Sequence, residues 1–261
     1  MTDTYEIFAI RYGKSERKRS ESFLGGDPHD GPMPMAYYVW LIRNAHRAIL
    51  VDTGFDPKVA QERGRDLLIA PEEAIRQLGT DPDTIRDVIL THLHYDHGGN
   101  HALFPRATFH IQAAEMAYTT GPYMTHKPLR IGYGAADVKA MVDRLFDDRV
   151  RFHDGRSKVA PGIEVIHIPG HTAGLQSVIV ATERGPVVLA SDAIVFYESV
   201  ETQRPFPAIF SVAGELEGHR TLLGIAGSLD AIIPGHDTQV MSRYPEALKG
   251  IAWRVDCMPI A

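Results

Sequence analysis

Apolar residues along this chain fall into short runs, each closed by a polar or glycine-bearing turn. Residues 5–12 predict a first strand, with Ile7 and Ile10 among its apolar positions. Val39-Trp40-Leu41-Ile42 and Ala48-Ile49-Leu50-Val51, parted by Asn44-Ala45-His46, predict a hairpin. Val88-Ile89-Leu90 and residues 107–111 follow as strands, and 163–168, 177–181, 187–190 and 231–233 repeat the pattern in the second half. Helices are fewer. One is predicted at 71–78, where a proline and two acids open it, Ala74, Ile75 and Leu78 share a face, and Gly79 stops it. Others are predicted from about 113, from 136 through 145, and over 215–226. Residues 118–148 differ in character, with Tyr118, Tyr123, Met124 and Tyr133 set among glycines and prolines. That stretch reads as an insertion beside the site, a candidate lid or substrate wall. No linker or low-complexity segment interrupts the rest, so a single domain over residues 1–261 is expected.

Composition narrows the function classes. The 261 residues are 44% hydrophobic and 23% charged, enough apolar material for a sizeable core. The net charge is −6, and the densest basic run, Lys14, Arg17, Lys18 and Arg19, is interleaved with Ser and Glu, which reads as a solvated edge. A nucleic-acid partner would need a broader basic face. A single cysteine, Cys257, excludes an intrachain disulfide and fits a reducing compartment. There is no basic leader followed by an apolar stretch and no apolar run of membrane-spanning length, so a soluble, cytoplasmic protein without a membrane partner is expected, either monomer or homodimer.

The chemistry concentrates at strand exits. Directly after 88–90 comes Thr91-His92-Leu93-His94-Tyr95-Asp96-His97-Gly98-Gly99-Asn100. Three imidazoles and a carboxylate stand within six residues of one another, on a loop leaving the C-terminal end of a strand, where α/β sheets place their sites. The same grammar recurs at Pro169-Gly170-His171-Thr172, at Ser191-Asp192 and at Pro234-Gly235-His236-Asp237. His92, His94 and His171 would hold one metal ion, Asp96, His97 and His236 a second, and Asp192 would bridge them. Nitrogen and oxygen donors without thiolate suit zinc, and manganese, iron or cobalt as well. Two such cations activate water to a bridging hydroxide and polarise a carbonyl or phosphoryl oxygen. Asp52, also at a strand end, is expected to orient a metal-bound histidine. His29 and His126 lie on loop-like segments that could approach a substrate. No Gly-x-Ser-x-Gly elbow, phosphate loop or dinucleotide fingerprint is present.

These motifs, in this order and spacing from about residue 37 to 240, resemble the ligand set of the metallo-β-lactamase superfamily. Asp52-Thr53-Gly54 matches its early motif. The resemblance implies an αββα sandwich, two mixed β-sheets flanked by helices, with a dinuclear site at the sheet edges. Within the superfamily the chain is similar to the N-acyl-homoserine lactonase branch. The seven-ligand set, the length, the Pro34-Met35-Ala36-Tyr37-Tyr38-Val39-Trp40-Leu41 entry to the hairpin and the long insertion carry that likeness. It implies a metal-dependent carboxylic-ester hydrolase that opens a small lactone, as in quorum quenching. Esters, thioesters, cyclic amides and phosphotriesters are alternative substrates of the same site. Asp96 would carry a proton to the leaving alkoxide. Lactonases of this branch place a tyrosine three residues after the bridging aspartate. Here Val195 stands there, and Tyr197, five residues after Asp192, is the nearest tyrosine and the candidate to stabilise the oxyanion. Met33, Tyr123, Met124, Phe196 and Phe206 are the expected apolar wall.

Overall fold

A computed structural model of the chain describes residues 3–260. In chain order the strands are β1 Glu6–Ser15, β2 Met35–Arg43, β3 Ala48–Val51, β4 Asp66–Leu67, β5 Asp87–Ile89, β6 Thr108–Gln112, β7 Val150–His153, β8 Ser157–Ala160, β9 Ile163–His167, β10 Gln176–Thr182, β11 Gly185–Ser191, β12 Ile232–Pro234, β13 Glu246–Leu248 and β14 Ala252–Arg254. The helices are α1 Pro57–Arg63, α2 Pro71–Gln77, α3 Ala113–Thr119, α4 Lys127–Arg130, α5 Ala135–Phe146, α6 Tyr197–Glu201, α7 Val212–Ala226 and α8 Val240–Arg243.

The strands form two mixed sheets. The first runs β13-β14-β1-β2-β3-β5-β6-β7, with β4 paired to β1, and the second runs β12-β11-β10-β9-β8. In the first, β3, β5, β6 and β7 are parallel neighbours; in the second, only β11 and β12 are parallel. Each face of the hairpin strand β2 is covered, which explains its unbroken apolar run. Tyr37, Val39 and Leu41 face a core with Ala74, Ile75 and Met141 of α2 and α5. Tyr38, Trp40 and Ile42 face the opposite way, against Val165, Val178, Val187 and Leu189 of the second sheet. A third core places Leu222 of α7 on the outer face of the second sheet, against Ile179, Val188 and Ile232. The layers are therefore helix, sheet, sheet, helix, the αββα sandwich expected from the resemblance.

Several elements were not visible in the apolar pattern. The edge strands β7 and β13 are short, with Arg151, Phe152, Glu246 and Ala247 exposed, and pairing with a neighbour makes them strands. Helix α1 carries its own signals: Asp56 accepts from the Val59 N–H, Pro57 opens the helix, and Gly64 closes it in the left-handed region at φ 62°. No helix among the described residues is long and apolar enough to cross a membrane.

Candidate metal centre and its cavity

The predicted ligands come from both sheets and meet at the seam between them. The exit of β5 supplies His92, His94, Asp96 and His97. The β9–β10 connection supplies His171, the end of β11 supplies Asp192, and the exit of β12 supplies His236. All seven are buried. They fall into three overlapping groups: His92, His94 and His171; His92, His97 and Asp192; and Asp96, His97 and His236. Within each group the candidate ligand atoms lie within 4.8 Å of one another. Asp192 sits between the sets. Its Oδ1 is 3.2 Å from His97 Nε2 and 3.0 Å from His236 Nε2, and its Oδ2 is 3.3 Å from His171 Nε2. His171 Nε2 lies 2.9 Å from His94 Nδ1.

These residues fit divalent cations on the structure's own terms. His92 Nε2, His97 Nε2 and Asp192 Oδ1 are buried without a hydrogen-bond partner, and buried polar atoms ordinarily have one. Burial, reinforced by the neighbouring imidazoles, holds His92 and His94 well below the usual histidine range, which keeps them in the neutral form a metal needs. His97 is raised well above that range: burial opposes the charge, but Asp192, Asp52 and Asp96 outweigh it. Asp192 is held low against its own burial by His236, His97 and His171.

A second ring of contacts aims the imidazoles. Asp52, at φ 61°, closes β3 and accepts from His97 Nδ1 at 2.7 Å. Its other oxygen takes the Thr91 N–H at 2.7 Å. Thr91 Oγ1 lies 2.8 Å from Asp52 Oδ2 and 2.9 Å from Ser191 Oγ, so one hydroxyl joins the first sheet to the second. His236 Nδ1 donates to the Ala36 carbonyl at 2.8 Å. Such partners fix ring orientation and tautomer.

Sequence reasoning missed Glu115. Buried at the start of α3, it accepts from Leu93 N (3.0 Å), Tyr133 Oη (2.9 Å) and Thr172 Oγ1 (2.7 Å). It thereby ties the His92–His97 loop, Tyr133 and the His171 loop together. The one available signal was an acid beside the apolar Met116 early in a helix. Residues 132 and 133 meet the same loop: Gly132 O accepts from Tyr95 N at 2.8 Å, and the Tyr133 ring meets His94 edge-on at 4.4 Å.

Above the ligands opens a cavity of about 340 Å³. His94, Asp96, His171, Asp192 and His236 line its floor. Tyr118, Leu129, Ile131, Phe206 and Phe210 form an apolar wall, and Arg17, Arg63 and Arg65 line it as well. Of the expected wall residues only Phe206 is there. Phe196 packs behind Phe206, in a cluster with Phe23 and Met35 against which Met33 also rests, and does not line the cavity; Tyr123 is exposed. Met124, His29 and His126 do not line the cavity; His29 is 91% exposed.

Tyr197 is not at the site, which corrects the expectation for it. Helix α6 begins at this residue, and Asp237 Oδ2 accepts its backbone N–H at 2.9 Å. That start turns the ring into the core between the sheets, with Val240 and Tyr244. The Arg243 guanidinium lies 4.4 Å from its centroid. The side chain is 1% exposed and does not line the cavity.

A helix-sheet-sheet-helix sandwich with histidine and aspartate clusters at its strand exits defines a metallohydrolase scaffold. The Metallo-beta-lactamase superfamily model matches residues 33–244, and the chain belongs to that superfamily. An N-acyl homoserine lactonase from a Bacillus species is 27% identical over 67% of this chain and 70% of its own. The crystal structure of a quorum-quenching N-acyl homoserine lactone hydrolase superposes with a TM-score of 0.73 at 25% identity, covering 92% of this chain and 95% of that one. A dizinc quorum-quenching lactonase in complex with a product, N-hexanoyl-L-homoserine, superposes at 0.72 and 17% identity, covering 100% of this chain and 96% of that one.

Proposed function

We propose that the protein opens the ring of a small lactone, an N-acyl-homoserine lactone or a related one. In this reading a single hydrolase domain uses the 118–148 insertion as a substrate wall. The observation that carries it is the position of Asp192, with carboxylate oxygens 3.0 to 3.3 Å from three imidazoles belonging to two ligand groups. His92, His94 and His171 would hold one divalent cation, Asp96, His97 and His236 the other, with Asp192 shared. Zinc suits the donors, and manganese, iron and cobalt are accepted by the same set. Bound there, the cations supply a water nucleophile at neutral pH and an electrophile for the ring carbonyl.

The chain's own residues do the rest. The apolar wall excludes bulk water from the ring. Asp52 and the Ala36 carbonyl fix His97 and His236. Asp96 lines the cavity floor, and in this reading it passes a proton to the ring oxygen as the acyl C–O bond breaks. The hydroxy acid so formed ionises and releases a proton. A lactone panel followed by pH-stat, with metal analysis on the same sample, tests the reading. Turnover of lactones is expected, and Asp192→Ala should abolish it and lower the metal content. Rapid turnover of other esters or amides with no lactone accepted would overturn it.

A further inference from the structure

Three arginines line the cavity, although the chain as a whole is acidic. They come from separate places. Arg17 follows β1. Arg63 ends α1, and Arg65 follows Gly64, whose left-handed turn reverses the chain. Pairing of β4 with β1, Leu67 opposite Gly13 and Asp66 opposite Lys14, brings the chain after α1 back beside the strand that Arg17 follows, and all three side chains line the one cavity.

Their protein contacts leave most of their donors free. Arg17 Nη2 donates to the Glu21 carbonyl at 2.7 Å, and its Nε is buried without a partner. Arg63 Nη1 donates to the Ile131 carbonyl at 3.0 Å, and its guanidinium carbon lies 3.9 Å from the Tyr95 ring centroid. Arg65 Nε donates to Tyr95 Oη at 3.0 Å. A guanidinium has about five N–H donors, so each retains several. Among the described residues none of the three is paired with a carboxylate, whereas Arg19, Arg43, Arg204 and Arg254 are. The carboxylates lining the cavity are Asp96 and Asp192, both among the candidate metal ligands.

We propose that Arg17, Arg63 and Arg65 form an oxyanion-binding corner, and that the substrate is a lactone bearing a carboxylate or phosphate remote from the ring carbonyl. The proposal rests on the lactonase reading and selects within it, favouring acid-bearing lactones over neutral acyl-homoserine lactones. Guanidinium forks match carboxylate and phosphate oxygens two at a time. Three half-buried cations lining one cavity repel one another until an anion sits among them. A neutral substrate leaves those donors desolvated and unpaired, which is how a polar site rejects a ligand lacking the matching group. The apolar wall of the same cavity, with Phe206, Phe210 and Leu129, would take the ring face and carbon chain; the Arg17 guanidinium lies over the Phe206 ring, 5.0 Å from its centroid.

The test uses metal-loaded protein and three γ-lactones that share a ring and differ in one substituent: a carboxylate, a phosphate ester or a primary amide. A charge-assisted contact is worth about 1.5–3 kcal/mol, so kcat/KM should favour an anionic lactone over the amide by about tenfold or more. The preference should shrink with added salt. Arg65→Gln and Arg17→Gln should each cut it by about tenfold, chiefly through KM, and Arg65→Lys should restore part of it. Whichever anion is favoured more names the group. Equal turnover of all three lactones, with the ratio unchanged in both variants, would overturn the proposal. If no lactone turns over, the lactonase reading fails by itself. Calorimetry with the ring-opened dicarboxylate and its monoamide then decides the corner: tighter dicarboxylate binding that Arg65→Gln removes supports it, and equal binding sinks it.

Discussion

Gly132 backs directly onto the His94 ring, and Gly132→Ala tests whether that approach matters. A Cβ there would lie 2.5 Å from both Cδ2 and Nε2 of His94. Carbon contacts settle at about 3.5–4.0 Å, so something must move by about 1 Å. Neither side has room. The His94 ring is hemmed by His171 Nε2 at 2.9 Å from its Nδ1 and by Tyr133. Gly132 is held by its carbonyl's hydrogen bond from Tyr95 N at 2.8 Å. Its φ is not in the left-handed region, so alanine adds no backbone strain, and the clash is the whole perturbation. Overpacking of this kind costs about 1–3 kcal/mol, roughly 2–10 °C in Tm for a chain of this size. Function should lose more than stability. Metal–ligand distances tolerate only about ±0.2 Å, and a misplacement of about 1 Å costs on the order of 10²-fold in rate. The expected result is kcat/KM down by about 10²-fold with weakened metal binding, read by elemental analysis after dialysis and by thermal melts. Gly224→Ala is the control, since an added Cβ there meets nothing within 4 Å. It should leave activity intact and stabilise α7 by about 0.5–1 kcal/mol. If Gly132→Ala binds metal and turns over like the parent, the insertion does not set the position of His94.

Two further outcomes follow from the geometry. Tyr197→Phe should keep kcat/KM within about twofold of the parent, because its hydroxyl lies in the inter-sheet core; a loss near the ~10²-fold typical of an oxyanion donor would show that the ring reaches the substrate. Asp27 accepts from the His29 N–H at 2.8 Å and from Arg204 and Arg19 at 2.9 and 3.1 Å, and these bonds hold its carboxyl well below the usual carboxylate range. A folded-state pKa below the unfolded value means that the unfolded chain binds more protons between the two. Its stabilisation is therefore present above about pH 4 and lost as pH falls through the folded value. Asp27→Asn should lower Tm at neutral pH, with the gap to the parent closing in acid; a gap independent of pH from 7 down to about 2 would refute the linkage.

Much of the sandwich was legible because its central strands are apolar on both faces, as β2 and β11 are, and because each candidate ligand follows such a strand beside a turn. The edge strands were illegible for the opposite reason. Glu246–Leu248 has no apolar signature, and its identity comes from β14. The three arginines were hidden because residues 17, 63 and 65 come to line one cavity only in the folded chain, and Arg17 within a mixed-charge run reads as a solvated side chain. Tyr197 misled because spacing from Asp192 says nothing of where α6 begins, and one residue of helix start decides which way a ring points.

The cavity wall has a consequence for how such a protein changes over generations. Arg17, Arg63, Arg65, Leu129, Phe206 and Phe210 belong to connections and short helix ends, outside the two sheets. Substitutions there alter what the cavity accepts while the β-strand cores that hold the fold keep their packing. Substrate choice is thus free to drift on a constant reactive floor. Gly132 is the fixed point in that drift: it belongs to the same wall, and the side chain it lacks is the space that His94 occupies.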